Sequence, residues 1–438
     1  MPSNSDTAVD NVLRLCYTNK VKKNGIKDFS LLKRNQHYNN HIIQKRGKGL
    51  MIYELRHKDT QLIRFSATEN SNEPDITILW QNNDMQNLFP LDLNVSEDGI
   101  AKWLKHRTIP KNRAYVHAFL SKCGMNINRP MNIIRLSKGL SLNDCYWVVE
   151  EGFAGEYSKY NLYENNFSQV LAVIAFTGYG SSVRSSLESC PEFTTNGMLP
   201  KCWRRISGKV YLYKGGTKGA SNTGYEPYSE YYAAQIAEVL GINAIPYNLK
   251  QWKGELCSSC ELFTSKELSF MPVGRLVTRG GMDAVREYYN KLGEEYADAL
   301  NDMIVLDALI CNTDRHFGNF GVMIDNDTNT IVSPAPLFDH GNSLFNFIGC
   351  DSLESEEAFQ QYIDTLLPCV YDDFIGEAKQ ALSDRHREGL RHLLNFRFKR
   401  HPRYNLPQNR LKLIEKHIHN RASVLLETRI RNTGQMHS

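Results

Sequence analysis

The sequence predicts an α+β protein of two lobes. A smaller sheet-containing lobe spans about 166–263, a mostly helical lobe spans about 264–438, and an N-terminal accessory α/β region, 1–165, precedes them. Three observations carry this reading. Short alternating runs bounded by turn residues recur up to residue 263. An amphipathic run through Tyr296, Leu300, Met303 and Ile304 opens the helical half. Two polar loops then come after it, Asp307 to Asn319 (DALICNTDRHFGN) and Ser333 to Ser343 (SPAPLFDHGNS).

Composition sets the class. With 438 residues, 41% of them hydrophobic and 11% aromatic, the chain can bury a large core and divide into two or three units. No apolar run approaches the roughly 20 residues that cross a bilayer, and the start, MPSNSDTAVDN, lacks the apolar centre of a signal peptide. A cytoplasmic location with no membrane contact is therefore expected. The ten cysteines show no framework spacing, which favours reduced thiols. One close pair, Cys257 and Cys260, would need two further ligands to hold zinc, so two thiols in one strand is the preferred reading.

The net charge of +4 conceals a gradient. Residues 379–438 carry 14 Lys and Arg against 4 acids, and residues 1–57 carry 11 against 4, so the remaining 27 basic residues face 40 acids in the middle. Such ends can meet nucleic acid or an acidic partner, or they can be solvated faces.

In chain order, residues 1–47 are polar and basic. From Met51 the runs MIYELRH, QLIRFSA and ITILW read as strands. A helical stretch at 97–125 is interrupted by Pro110, where a helix is disfavoured. FSQVLAVIAF, 167–176, is a helix stopped by Gly178 and Gly180. This first third shows no recognisable chemistry and reads as packing or partner surface.

The next segment is richer. Gly197 and Lys201 share a loop that leads into GKVYLYKGG, where strand periodicity places Val210, Leu212 and Lys214 on one face. A lysine on a buried face is costly unless its charge meets an anion, for which a nucleotide phosphate is suited; a plain strand end is the other reading. YSEYYAAQIAEVLG, 228–241, reads as a helix with Ser229 as cap and Gly241 as stop. Glu230 in its first turn is the favoured partner for Lys214, with Glu238 as rival. A hairpin turning at Trp252 to Gly254 ends in Glu261, Leu262 and Phe263, a connector whose backbone could meet an adenine edge.

The two polar loops carry the chemistry. Asp314 and Asn319 stand at the Asp-x4-Asn spacing of a phosphoryl-transfer loop. Asp314 would orient or accept the proton of an attacking hydroxyl, while Asn319 and Asp339 would offer oxygen to Mg²⁺. His316 is a catalytic candidate whose milder role is to brace the loop and the metal-loop backbone. His340 takes the place that Phe has in Asp-Phe-Gly, and Gly341 would permit the backbone turn.

These elements, NTDRHFGN, SPAPLFDHGNS, the lysine of VYLYKGG and YSEYYAAQIAEVLGI, resemble in order those of the HipA-like serine/threonine kinases, whose fold is similar to the protein kinases and phosphoinositide kinases. The resemblance covers about 180–375. It implies a two-lobed protein kinase-like fold and transfer of phosphate from ATP, with Mg²⁺, to a Ser or Thr of a protein substrate. It places the base on Asp314, the metal ligands on Asn319 and Asp339 and the ATP lysine on Lys214. The reading of the residues themselves adds Glu230, Gly197, Lys201, Glu261 and Phe263 as nucleotide-binding candidates. In some members it also implies a toxin restrained by a DNA-binding antitoxin. The chain departs from the family where a self-phosphorylated serine often precedes the phosphate-contacting lysine. Here the nearest hydroxyls are Thr194 and Thr195. The first 165 residues do not match the family's N-terminal subdomain.

Other readings remain at the sequence level: AMP transfer or a small-molecule or lipid kinase on the same scaffold, a nucleotide-binding regulator with little turnover, and a metal-dependent phosphohydrolase built from Asp307, Asp314, His316 and Asp339.

Overall fold

The computed structural model describes residues 50–180, 190–220 and 222–427, within which eleven strands form three antiparallel sheets. The basic stretch 1–47 and the last residues, 428–438, lie outside the described residues.

The first sheet has the order β3-β2-β1-β4, with β1 at Leu50–His57, β2 at Thr60–Thr68, β3 at Ile76–Gln81 and β4 at Tyr146–Glu150. The three alternating runs of the sequence form the first three strands. Both faces of β2 are covered, since Leu62, Ile63, Phe65 and Ala67 are all fully buried. Three helices lie in the 97–137 stretch: α1 (Glu97–Lys105), α2 (Val116–Lys122) and α3 (Pro130–Ser137). The break between α1 and α2 falls at Pro110, as expected from its missing N–H. Ser96 caps α1 by accepting from the Gly99 amide.

Helix α4 (Gln169–Thr177) leads to the second sheet, of order β5-β6-β8-β7, with β5 at Lys201–Ile206, β6 at Lys209–Gly215, β7 at Asn248–Trp252 and β8 at Glu255–Glu261. The hairpins turn at Ser207-Gly208 and Lys253-Gly254, all four residues at positive φ. Cys257 and Cys260 both lie in β8, as two strand thiols. Behind this sheet runs α5 (Glu226–Leu240), closed by left-handed Gly241 (φ 68°). It begins three residues earlier than Ser229, with Pro227 in the first turn. Ser229 is therefore no cap; its Oγ donates to the Ser343 carbonyl at 2.7 Å.

Beyond residue 264 the chain is mostly helical but opens with a strand. β9 (Leu268–Pro272) pairs with β10 (Gly321–Asp325), which pairs with β11 (Thr330–Pro334). The sequence reading missed these strands because each has only five residues, too few for periodicity to register. After α6 (Val273–Leu276) and α7 (Gly281–Leu292) comes the central helix α8 (Glu294–Ile310). Its last two turns are buried all round, Met303 to Leu306 and Ala308 to Ile310 each fully so. Each large apolar side chain among them contributes about 1.5–3 kcal/mol of burial, so this end of the helix is a fixed base for the polar loop that begins at residue 312. Helices α9 (Glu356–Asp364), α10 (Phe374–Ala381), α11 (Asp384–Leu393) and α12 (Gln408–Leu426) complete the lobe. Among the described residues no helix is long and apolar enough to cross a membrane.

Candidate active site

Helix α8 ends at Cys311, whose left-handed φ of 50° turns the chain into the loop 312–319. Arg315, fully buried, fixes that loop. Its Nε and Nη2 donate to the two carboxylate oxygens of buried Asp307, at 2.9 and 3.1 Å. Its Nη1 donates to the Phe338 carbonyl at 2.6 Å and to the Asn319 carbonyl at 3.3 Å, and its Nη2 meets His340 Nδ1 at 2.9 Å. One guanidinium thus ties the helix, its loop and the strand-end loop 338–342 together, which needs the planar fork of arginine. The two loops are joined again where the Thr313 amide donates to the Asn342 carbonyl at 3.0 Å and Asn342 Nδ2 donates to Asp314 Oδ2 at 2.8 Å.

Asp314 is half-buried and lines the cleft. Asn319 uses its Nδ2 on the Asp314 carbonyl at 3.3 Å, and among the described residues no donor reaches its Oδ1. That oxygen and the Asp339 carboxylate, one third exposed, are the hard oxygen donors facing the same cleft, a set that fits Mg²⁺ completed by phosphate oxygens. Asp339 takes the left-handed backbone (φ 58°), so it, and not Gly341, makes the turn. A Cβ at Gly341 would stand at contact distance, 3.4 Å, from both Glu226 Cβ and Lys214 Nζ.

Lys214, near the end of β6, reaches across to both elements. Its Nζ donates to Glu230 Oε1 at 2.8 Å and to Asp339 Oδ1. Glu230 Oε2 accepts from the His340 amide at 2.9 Å, so one carboxylate holds the lysine and the metal-loop backbone. Glu238, the rival, instead pairs with exposed Lys399 at 3.5 Å. Burial alone would push Lys214 toward neutrality; the charges of Asp339 and Glu230 more than reverse it, so the ammonium is held. Burial raises Asp339 in turn, but Lys214 and Lys201 outweigh it and keep the carboxylate ionised below its usual range.

The surrounding cleft has a volume of about 1030 Å³ and is also lined by Gly197, Lys201, Glu261, Phe263 and His316. Lys201 pairs with Lys214 across β5 and β6. Its Nζ donates to the Asn196 carbonyl at 2.8 Å, and burial, then the charge of Lys214, push it down to about 7. A phosphate anion beside it would restore its charge. Gly197 sits at φ 93° with Lys201 Nζ packed over its α-carbon, so the loop tip requires glycine. At the connector, the Leu262 amide is used by the Val210 carbonyl at 2.9 Å, while the Phe263 ring packs on Phe270 and Phe338 with centroids 5.6 and 5.5 Å away. Phe263 thereby links the connector to the residue before Asp339. The Glu261 carboxylate pairs with Lys209 at 2.9 Å.

Two readings change. The bracing of the metal-loop backbone assigned to His316 belongs to Arg315: His316 is exposed, and its Nδ1 accepts from Gly318 N, at 3.0 Å, within its own loop. Asp307 is sealed against Arg315 and Asn312, which removes it from a two-metal hydrolase set, and among the described residues no cluster of three His, Cys, Asp or Glu could hold a metal. In the basic C-terminal stretch, Arg385, Arg397, Lys399 and Lys416 pair with acids of the chain itself, and Arg410 is buried over the Tyr225 ring. The sequence reading also assigned no role to Asn342, although it lies three residues after Asp339 in a loop already singled out.

No protein-family model matches the chain, and no curated protein sequence does so. Among solved structures the chain is similar to the Helicobacter pylori proinflammatory kinase CtkA, at 17% identity over 53% of this chain and 91% of that one, with a TM-score of 0.43. It is also similar to HipA in the Shewanella oneidensis MR-1 toxin–antitoxin complex with HipB and operator DNA, at 12% identity over 85% and 96% of the two chains, with a TM-score of 0.48. A kinase and a HipA are the kinds of protein that the motifs in the sequence resemble, and at TM-scores below 0.5 the functional reading stands on the side chains of this cleft.

Proposed function

We propose that this chain is an ATP- and Mg²⁺-dependent kinase that transfers the γ-phosphoryl group to a Ser or Thr hydroxyl of a protein. The observation that carries the reading is Lys214, held charged between Glu230 and Asp339 in the cleft that Asp314 lines. Phosphoryl transfer asks a protein for placement and charge neutralisation more than for covalent chemistry, and this arrangement supplies both. Lys214 and Lys201 bind phosphate oxygens, and the aromatic connector floor with Leu212 holds the base. Asp314 receives the hydroxyl hydrogen, with Oδ2 fixed by Asn342 and Oδ1 left for the acceptor. Asn319 Oδ1 and the Asp339 carboxylate would hold Mg²⁺, whose chemistry when bound is to neutralise charge on the phosphate oxygens.

The test is transfer from ATP labelled at the γ- or the α-phosphate. Appearance of γ-label on protein, lost in Asp314→Ala and in Asp339→Ala, is expected. Transfer of α-label would make the protein an AMP transferase, and full transfer by both variants would remove the assignment. A DNA-binding regulatory partner belongs to the same proposal; the Shewanella HipA is in a complex with HipB and operator DNA. Its test is co-purification of a second protein with the full chain and a DNA mobility shift that requires both; a salt-sensitive shift by the chain alone would instead place the DNA contact on the chain itself.

A further inference from the structure

The loop from Cys190 to Lys201 has buried feet and an exposed tip: Cys190, Glu192, Phe193, Thr194 and Lys201 are buried, whereas Asn196, Gly197 and Met198 are exposed at the cleft. The feet are joined by a residue far away in sequence. Arg113, between α1 and α2 and 2% exposed, donates from Nη1 to the carbonyls of Glu192 (3.2 Å) and Thr195 (3.0 Å), and from Nη2 to the carbonyl of Lys201 (2.6 Å). The next residue adds a second tie, the Ala114 amide donating to the Met198 carbonyl at 2.8 Å. Thr194 Oγ1 donates to the Leu140 carbonyl at 2.8 Å, and the Phe119 ring packs on Phe193 with centroids 4.9 Å apart. Within the loop, Glu192 Oε1 accepts from the Trp203 amide at 2.9 Å. Three carbonyls on both sides of a tight loop meeting one guanidinium is a staple, and lysine, whose three N–H donors all radiate from one nitrogen, lacks the fork that spans it.

We propose that Arg113 is a positioning residue for nucleotide phosphate: it closes the base of the 190–201 loop so that its tip and Lys201 face the cleft. The N-terminal region is then part of the phosphate site and more than packing. The inference rests on the nucleotide-cleft reading and goes beyond it in giving a residue of the first third a role in ATP affinity.

A stapled loop matters to phosphates and not to the base, which sits at the connector. Calorimetric titration of the full chain with a non-hydrolysable ATP analogue plus Mg²⁺, and separately with adenosine, divides the two. Arg113→Ala and Arg113→Lys are each expected to weaken the analogue by about tenfold or more, because buried charge-assisted bonds are lost, while adenosine affinity holds. Arg107→Ala serves as the structural control. Arg107 is equally buried in the same region and bonds the Gly139 and Tyr146 carbonyls and Asp144, but not the loop. It is expected to lower thermal stability without dividing the two ligands. Hydrogen exchange of the 194–201 amides should quicken in the Arg113 variants only. Equal losses of analogue and adenosine, unchanged analogue affinity, or an Arg107 variant that behaves like Arg113→Ala would each overturn the proposal. A native chain that binds neither ligand would instead remove the nucleotide-cleft reading itself.

Discussion

Arg315→Ala tests the organisation of the site most directly. The substitution removes five hydrogen bonds and leaves Asp307 fully buried with only Asn312 Nδ2, at 3.1 Å, as a donor. Breaking a buried ion pair by removing one partner costs about 3–5 kcal/mol, because the remaining charge stays desolvated. The Phe338 carbonyl loses its donor as well, which adds about 1–3 kcal/mol where water cannot reach, whereas Asn312 offsets part of the Asp307 penalty. The net loss is about 4 kcal/mol, a large share of the roughly 5–15 kcal/mol that holds a domain folded. Urea unfolding with an unchanged m value reads it. Asp307→Leu combined with Arg315→Met should lose less than the two single changes together, with a coupling of about 2–3 kcal/mol. The exposed pair Glu287 and Lys291, 69% and 71% exposed, gives the contrast: Lys291→Ala should leave the urea midpoint almost unchanged. If Arg315→Ala costs under about 1 kcal/mol, or if the Asp307 and Arg315 changes simply add, this pair does not hold the loop.

Lys214→Met should lower phosphate transfer by about 10²-fold or more, since a charged donor at the developing charge is lost, and should also lower the melting temperature, since buried Glu230 loses its cation; labelled ATP and a melting curve check both halves. Gly197→Ala should weaken ATP binding and not adenosine binding, because the new Cβ is strained at φ 93° and strikes Lys201; calorimetry reads it. His417 is buried against the Leu309 carbonyl and the Phe345 ring, and burial, then Arg421, push it down to about 3. Between that value and about 6.5 the unfolded chain takes up a proton that the folded chain refuses, so stability falls as pH drops through this range, by about 1.4 kcal/mol per pH unit. His417→Gln should flatten the acid limb of the stability profile, and an unchanged slope would show that this histidine does not carry it.

Much of the site was legible because its parts are local. Asp314 and Asn319 share one loop, and Lys214 stands on a strand whose period could be read. Glu230 lies one turn into the next helix, which starts at Glu226 and not at the expected Ser229 cap, and two turns before its rival Glu238. What decided between those two glutamates was rotation about the helix: Glu230 is fully buried on the face toward β6 and Glu238 is exposed. The strands β9 to β11 were not legible. A five-residue run such as GVMID or TIVSP fits a strand or a connector equally well, and only the pairing settles it: GVMID with distant Leu268–Pro272, and TIVSP with GVMID.

Arg113 and Asn342, which escaped sequence reading, and Arg315, whose role the sequence left open, share one physical property. Arg113, Arg315 and Asn342 act by donating to backbone carbonyls or to a side chain in another segment, and a carbonyl leaves no trace in the sequence. A buried arginine and a solvated one are the same letter; what separates them is three or four acceptors gathered from different elements, as around Arg113 (Glu192, Thr195, Lys201) and Arg315 (Asp307, Phe338, Asn319). Taking such a cation out of water is costly, and these acceptors offset the cost, although Arg113 Nε has no partner among the described residues. The positions where this chain does so mark where its backbone must be held: one at the base of the loop over the cleft, and one beneath the loop that carries Asp314.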